Sequence, residues 1–306
     1  MAADVRAGLT KPFKELSPRY FYDERGSDLF EQITELPEYY PTRCERAILE
    51  REASAICRAA NDPASLIELG SGSAAKTRVF LDAMQEACCL KTYAPVDISE
   101  EITRQTAERI ADEYDDVAVR GHVCDYELDL ERVPVGGPRV IAFLGGTIGN
   151  FPPAQRASFL RRIANLLDPE DRFLLGTDLV KDPETLEAAY DDSQGVTAAF
   201  NKNVLEVLNR RLNANFDLDA FEHVARWDAD NLWMDIRLRS LQHQVVDIAA
   251  LDLQVAFGAG EEMRTEISTK FAREGLEGIY AEAGLELTDW WTDPDGLYAL
   301  SLARAA

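Results

Sequence analysis

Three apolar runs in this chain carry a carboxylate at or near their end: Glu68 in "SLIEL", Asp97 in "APVDI" and Asp125 in "HVCDY". The first leads directly into a glycine turn, Gly70-Ser71-Gly72, and then into Lys76-Thr77. Two chemistries compete for such a turn. A phosphate-binding loop needs glycine just before its lysine so that backbone N–H groups can curl around the anion. Ala75 stands there instead, and the run "VIAFLGGT" ends in glycines where a metal-holding acid would be required. The dinucleotide fingerprint G-x-G-x-x-G fails at the same Ala75. What remains is a turn followed by two acids at strand ends. An acid ending the second strand can accept bonds from both hydroxyls of a ribose. Asp125 can accept from an exocyclic adenine amine, and Tyr126 beside it can cover the ring. Together these groups outline a nucleoside without phosphate, which fits S-adenosylmethionine (SAM) better than NAD or ATP. Lys76 then faces the methionine end of that cofactor. The plainer readings are that the aspartates cap turns and that Lys76 is a solvated helix residue.

The elements that would position these groups follow an α/β rhythm. Strands are expected at 65–69, 92–98, 117–126, 139–151 and 172–180, separated by helices at 74–87, 99–114 and 153–167. Ser99 is an N-cap and Pro153 opens its helix. Single helices between strands imply a parallel, doubly wound sheet. After a helix at 270–284, "LELTDWWT" and "YALSLAR" form a hairpin around "DPDG", in which Trp290 and Trp291 are read as packing. Residues 182–269 are too long for an ordinary connection. They hold a helix over 189–212 and alternating strands, and read as an inserted α+β substrate-binding domain. The expected division is therefore 1–181, an aromatic N-terminal cap plus the Rossmann-like domain; 182–269, the insertion; and 270–306, a return to the first domain. The cap is expected over the carboxyl ends of the strands, where α/β ligands bind.

Composition narrows the partners. The chain has 306 residues, 46% of them hydrophobic, and a net charge of −23. So acidic a surface repels phosphate backbones, which excludes nucleic acid as the expected substrate. It does not repel a cationic cofactor. The cysteines are Cys44, Cys57, Cys88, Cys89 and Cys124, an odd count with no CxxC pair, which suggests free thiols in a reducing cytoplasm. His122, His223 and His243 lack metal-ligand spacing, so no metal is expected and these residues are read as structural or exposed. No run is long and apolar enough to span a bilayer, and "MAADVRAGLTKPF" lacks a signal-peptide apolar core.

Several long motifs carry a resemblance: "FYDERGSDLFEQITELPEYYPTR", "ELGSGSAAKTR", "FLGGTIGNFPP", "GTDLVKD", "AYDDSQGVTAAFNKNVL", "FDLDAFEHVARW" and "WWTD". Over nearly the whole chain the sequence resembles the histidine-specific SAM-dependent methyltransferases. The resemblance implies a class I methyltransferase sheet with a C-terminal antiparallel hairpin and an inserted substrate domain. It implies trimethylation of the α-amino group of L-histidine to hercynine, in ergothioneine biosynthesis. Carried over by motif, the cofactor residues are Tyr22, Gly70, Ser71, Lys76, Asp97, Asp125 and Tyr126. The amino-acid residues are Tyr39, Gly145, Asn150, Tyr190, Ile236, Glu266 and Ser268. Tyr22 and Asn150 are expected to accept from the amine and aim its lone pair. Asn150 and Tyr190 hold the amino-acid end, and Glu266 with Ser268, helped by Tyr39, reads the imidazole. Ile236 stands where histidine-using members tend to place methionine, with Met234 two residues away. Two alternatives stay open: the same chemistry on another aromatic amino acid such as tryptophan, and a SAM-binding module without catalysis. A small-molecule substrate and a monomer are expected.

Overall fold

The computed structural model describes residues 1–72, 74, 77–87, 89–125, 129–130 and 138–306; Lys76, Cys88 and Tyr126 lie outside the described residues. The chain divides into two compact units, Pro41–Val180 with Lys270–Ala306, and Met1–Tyr40 with Lys181–Thr269.

In the first unit the strands lie in the order Leu285–Thr292, Tyr298–Ala305, Arg172–Asp178, Arg139–Phe143, Ser65–Leu69, Thr92–Asp97 and Ala118–Val119. His122–Val123 continues the pairing along Thr92–Asp97. Every pair from Arg172–Asp178 to Ala118–Val119 is parallel, and Tyr298–Ala305 alone runs antiparallel to both neighbours. This is the class I methyltransferase order, closed by the expected hairpin. Alternation along each strand sorts its side chains into two cores. Leu66, Val140 and Leu174 meet Ile48, Phe80 and Met84 on one face. Ile67, Ile141 and Phe173 meet Phe159, Ile163 and Leu276 on the other. Burial on both faces is why these strands read as continuous apolar runs rather than alternating ones. The helix Glu100–Glu113 starts at Ser99, whose hydroxyl accepts from the Ile102 amide at 3.4 Å.

Two expectations in this unit are corrected. The run read as one strand over 139–151 is a strand only to Phe143; Gly145 and Gly146 take φ of 78° and 69°, a left-handed conformation that ends the ladder, and Thr147–Asn150 is a 3₁₀ turn. The third strand is two short pieces, Ala118–Val119 and His122–Val123.

The second unit joins segments far apart in the chain. Its four-stranded sheet has the order Lys14–Glu15, Glu262–Thr269, Trp233–Ser240 and Phe221–Asp228. Beside it lies the hairpin Gln244–Ile248 with Leu253–Phe257. One apolar core unites Val5, Leu9, Phe21 and Ile33 with Phe200, Leu208, Phe221, Leu238 and Phe257. Residues 1–40, expected with the sheet domain, therefore belong with the insertion. Lys14 and Glu15 pair in parallel with Met263 and Arg264, and the Phe21 and Phe200 rings lie 4.8 Å apart. The helix expected over 189–212 is two helices, Pro183–Tyr190 and Val196–Leu212. The break is made by Asp192, whose carboxylate accepts from the amides of Gln194, Val196 and Thr197, and by Gly195 at φ 73°.

A buried ion pair braces the amino end of the parallel sheet. Arg139 and Asp171 are 1% and 0% exposed, and Arg139 Nε donates to Asp171 at 2.8 Å. Asp171 also accepts from the backbone amides of Arg139 and Asp168. Removing one partner strands the other charge. Asp171→Ala is expected to cost about 3–5 kcal/mol in urea unfolding, and replacing both residues with apolar ones is expected to recover most of that loss.

Candidate active site

The glycine turn leaves the strand Ser65–Leu69 at the carboxyl edge of the sheet. The amides of Gly70 and Ser71 donate to the Val96 carbonyl at 2.8 and 3.2 Å, which ties the turn to the neighbouring strand. Gly72 has φ 49°, and a Cβ built there meets nothing within 4 Å. Glycine is thus required for its backbone conformation, and no described residue crowds the space a side chain would take. The Gly72 amide donates to Asp97 Oδ2 at 3.2 Å, and the Ser99 amide to Asp97 Oδ1 at 2.9 Å. Burial pushes the Asp97 carboxyl above its usual range, and these backbone donors partly offset that shift. An ionised carboxylate has about four acceptor sites, so capacity remains for hydroxyl donors. The Ser71 hydroxyl is buried with no hydrogen-bond partner among the described residues. Asp125 follows the short strand His122–Val123, whose Val123 pairs with Asp97, so both acids sit at the same edge.

Glu68 plays a different part from the other acids. It is 4% exposed and accepts from the Tyr93 hydroxyl at 2.6 Å and from the Thr77 hydroxyl. It clamps the first strand to the second strand and to the helix after the turn.

A buried carboxylate that sequence reasoning missed supports the second glycine turn. Glu45, on the helix Pro41–Ala59, is 0% exposed and accepts from the Gly145 amide at 2.7 Å and the Tyr298 hydroxyl at 2.9 Å. A Cβ on Gly176 would lie 2.3 Å from the Glu45 carboxylate, so that strand position must be glycine. The Gly145 amide thus points inward. Asn150, the last residue of the 3₁₀ turn that follows, is half-buried.

The second unit gathers its own set. The Tyr190 hydroxyl and Ser268 Oγ are 2.8 Å apart. Tyr190 meets Tyr39 edge to face at 6.4 Å, Tyr39 meets Phe30 at 6.3 Å, and Phe30 meets Tyr22 at 5.7 Å. Tyr22 closes this file of rings, 47% exposed. Across the sheet, Glu266 is opposite Ile236, and Ser268 is opposite Met234. Opposed residues share a face, so Glu266, Ser268, Ile236 and Met234 form one patch.

A bulge creates that patch. Arg264 pairs with Arg237, yet Glu266 pairs with Ile236, so Thr265 is the extra residue. Strict alternation would put Glu262, Arg264, Glu266 and Ser268 on one face. The bulge instead sends Glu262 and Arg264 to a charged face, where they bond Arg237, Arg239 and Asp235. Glu266 and Ser268 turn to the opposite face. The Thr265 hydroxyl fixes the distortion by donating to the Ile236 carbonyl at 3.1 Å. Nothing in the sequence marks a bulge at a threonine.

Among the described residues no group of three or more His, Cys, Asp or Glu is placed to hold a metal ion. No helix among them is long and apolar enough to cross a membrane.

Comparison with known proteins adds four findings. Residues 1–305 match the family model of the histidine-specific, SAM-dependent methyltransferases. The chain is 53% identical over 300 residues to the histidine N-alpha-methyltransferase of Mycolicibacterium smegmatis, covering 98% of this chain and 93% of that protein. It is 48% identical over 303 residues to the histidine N-alpha-methyltransferase of Mycobacterium tuberculosis, with 98% and 93% covered. At 29% identity over 307 residues, 95% of this chain and 89% of the relative, it also matches the 4-dimethylallyltryptophan N-methyltransferase of Aspergillus fumigatus.

The Glu45 brace gives a test of the second turn. Glu45→Ala leaves the Gly145 amide and the Tyr298 hydroxyl without their buried acceptor, at a cost of about 2–4 kcal/mol for two stranded donors. Glu45→Gln keeps one acceptor and is expected to lose less. Hydrogen exchange at the Gly145 amide should be slow in the parent protein and speed up in Glu45→Ala before global unfolding.

Proposed function

The chain belongs to the histidine-specific, SAM-dependent methyltransferase family, and on that premise we propose that it trimethylates the α-amino group of L-histidine to hercynine, a step of ergothioneine biosynthesis. The observation that carries the choice of acceptor is the patch of Glu266 and Ser268, with Tyr190 bonded to Ser268. A buried imidazole needs one donor and one acceptor satisfied. A carboxylate and a hydroxyl on one sheet face supply that pair, and such a site rejects ligands that cannot make the bonds.

Bound SAM supplies a methyl group on a positively charged sulfur, already an activated leaving group. The chain therefore needs to furnish neither nucleophile nor metal. Gly70, Ser71, Asp97 and Asp125 fit the cofactor's nucleoside and methionine ends: a turn that no described residue crowds, a buried hydroxyl with no hydrogen-bond partner among the described residues and a carboxylate with spare acceptor capacity. Lys76 and Tyr126 keep their cofactor roles as assigned from the motifs. Transfer needs a neutral amine held in line with the breaking bond at roughly 3 Å. We assign that orientation to Asn150 and Tyr22 as acceptors from the amine. Gly145 contributes its carbonyl side to the amino-acid end, and Tyr190 and Tyr39 hold the substrate. A phenol's ordinary pKa of about 10 makes it a weak proton acceptor, so Tyr22 orients and the amine's proton leaves to water. Tyr22, Phe30 and Tyr39 present ring faces suited to the growing methylammonium by cation–π attraction. Ile236 packs opposite Glu266 as an apolar wall. Cys44 and Cys57 are free thiols, which supports a cytoplasmic setting, and we take the enzyme to act as a monomer.

Two measurements test this reading. In mass spectrometry of histidine, tryptophan and tyrosine incubated with SAM, histidine alone is expected to gain three methyl groups, and Glu266→Ala is expected to lower histidine kcat/KM at least about tenfold. A gain on tryptophan in place of histidine would move the assignment to the alternative acceptor. The second concerns Asp97. Its carboxyl is raised by burial, so its contribution to stability is present at acid pH and lost as pH rises through the folded-state value. Ribose hydroxyls favour the ionised form. Binding of S-adenosylhomocysteine should therefore release a proton in mild acid and weaken as pH falls, as read by calorimetry in buffers of different ionisation enthalpy. Asp97→Asn is expected to raise the melting temperature of the free protein at neutral pH while weakening that binding about tenfold or more.

A further inference from the structure

We propose that His223 is a positioning residue for Tyr190, acting from behind through its backbone; this rests on the reading of Tyr190 as a substrate contact. His223 lies on the strand Phe221–Asp228, and its side chain is 3% exposed. Its Nε2 is 2.8 Å from the Tyr190 carbonyl oxygen, and its Nδ1 is 2.8 Å from Asn201 Nδ2. The tautomer follows from a third bond. Asn201 Nδ2 also donates to the Arg237 carbonyl at 2.9 Å. Flipping the amide would set its oxygen against that carbonyl, so the nitrogen stays where it is. The His223 Nδ1 must therefore accept, and Nε2 carries the proton that is donated to Tyr190.

Tyr190 is the last residue of the helix Pro183–Tyr190. The final carbonyls of a helix have no partner within it. His223 satisfies this one at the point where the chain breaks toward Asp192. Tyr190 is thus gripped twice, at its carbonyl by His223 and at its phenol by Ser268 at 2.8 Å. The backbone bond fixes where the phenol starts, and the side-chain bond fixes where it ends.

Protonation would undo the arrangement. Burial holds His223 below its usual pKa, while the Tyr190 carbonyl, Asp191 and Asp192 pull it up and Lys202 pushes it down. A second proton would land on Nδ1, against the Asn201 amide N–H groups, donor facing donor.

The test compares His223→Leu, which loses both bonds, with His223→Gln, whose amide N–H can still reach the carbonyl. In His223→Leu the KM for histidine is expected to rise roughly five- to tenfold, with KM for SAM within about twofold of the parent. His223→Gln is expected to recover most of the loss. The ¹⁵N spectrum of the unsubstituted protein at neutral pH should show His223 protonated at Nε2 and not at Nδ1. An unchanged histidine KM in His223→Leu would overturn the proposal. So would equal losses in both variants that track a lowered melting temperature, which would make His223 merely structural, and so would an Nδ1–H tautomer, a readout that stands even if a variant does not fold. A parent enzyme that leaves histidine unmethylated would instead remove the underlying substrate reading and this inference with it.

Discussion

A β-strand shows every second side chain to the same face, and the placing of groups in both units follows from that constraint. In the parallel strands of the first unit it is obeyed throughout, and only the closing hairpin slips, between Leu287 and Asp289. Leu66 and Ile67 go to opposite cores, and Glu68 turns to the side where Tyr93 and the Thr77 helix await it. In the other unit it is broken once, at Thr265, and the break separates two chemistries on one strand. Arg264 joins a ladder of ion pairs with Asp235, while Glu266 and Ser268 face away from it. Without that extra residue the carboxylate assigned to the imidazole would lie among arginines, where a nearer partner would hold it.

Several charges buried among the described residues are answered by close partners. Asp171 meets Arg139 and two backbone amides, and Lys270 meets Asp178 at 2.8 Å. Glu45 and Glu68 accept from hydroxyls and, for Glu45, from a loop amide. Two of these acids fix a glycine turn: Glu68 the first, Glu45 the second. At Asp97 burial outweighs the backbone donors and raises the carboxyl, whereas at Asp23, Asp192 and Asp235 the bonded partners outweigh it. The free protein carries the cost of burying Asp97.

Much of this was legible in the sequence because the relevant signals are local. The strand at Ser65–Leu69, the cap at Ser99, the proline-led helix at Pro153 and the closing hairpin all rest on neighbouring residues. The illegible features depend on partners far along the chain. Residues 14 and 15 pair with 263 and 264, and no pattern within the first forty residues announces that. Glu45 reads as one more acid on a charged helix until Gly145 and Tyr298 close on it. His223 reads as an isolated histidine until Asn201 fixes its proton. The break at Asp192 was missed because helical periodicity on both sides masked a three-amide cap. The candidate site residues that spacing alone leaves ambiguous, Glu266 foremost, rest on the family motifs.

The pairing of the first strand with residues 263 and 264 bears on how the polypeptide emerges from the ribosome. Its opening helices are made early, but the strand that completes their sheet is translated last within that unit. At roughly 5–20 residues per second the delay is on the order of ten to fifty seconds. Through that interval the core around Phe21 and Ile33 lacks its last member, Met263. Nascent chains of this kind invite chaperone attention near the amino terminus, and a slower message between the two segments would prolong the wait.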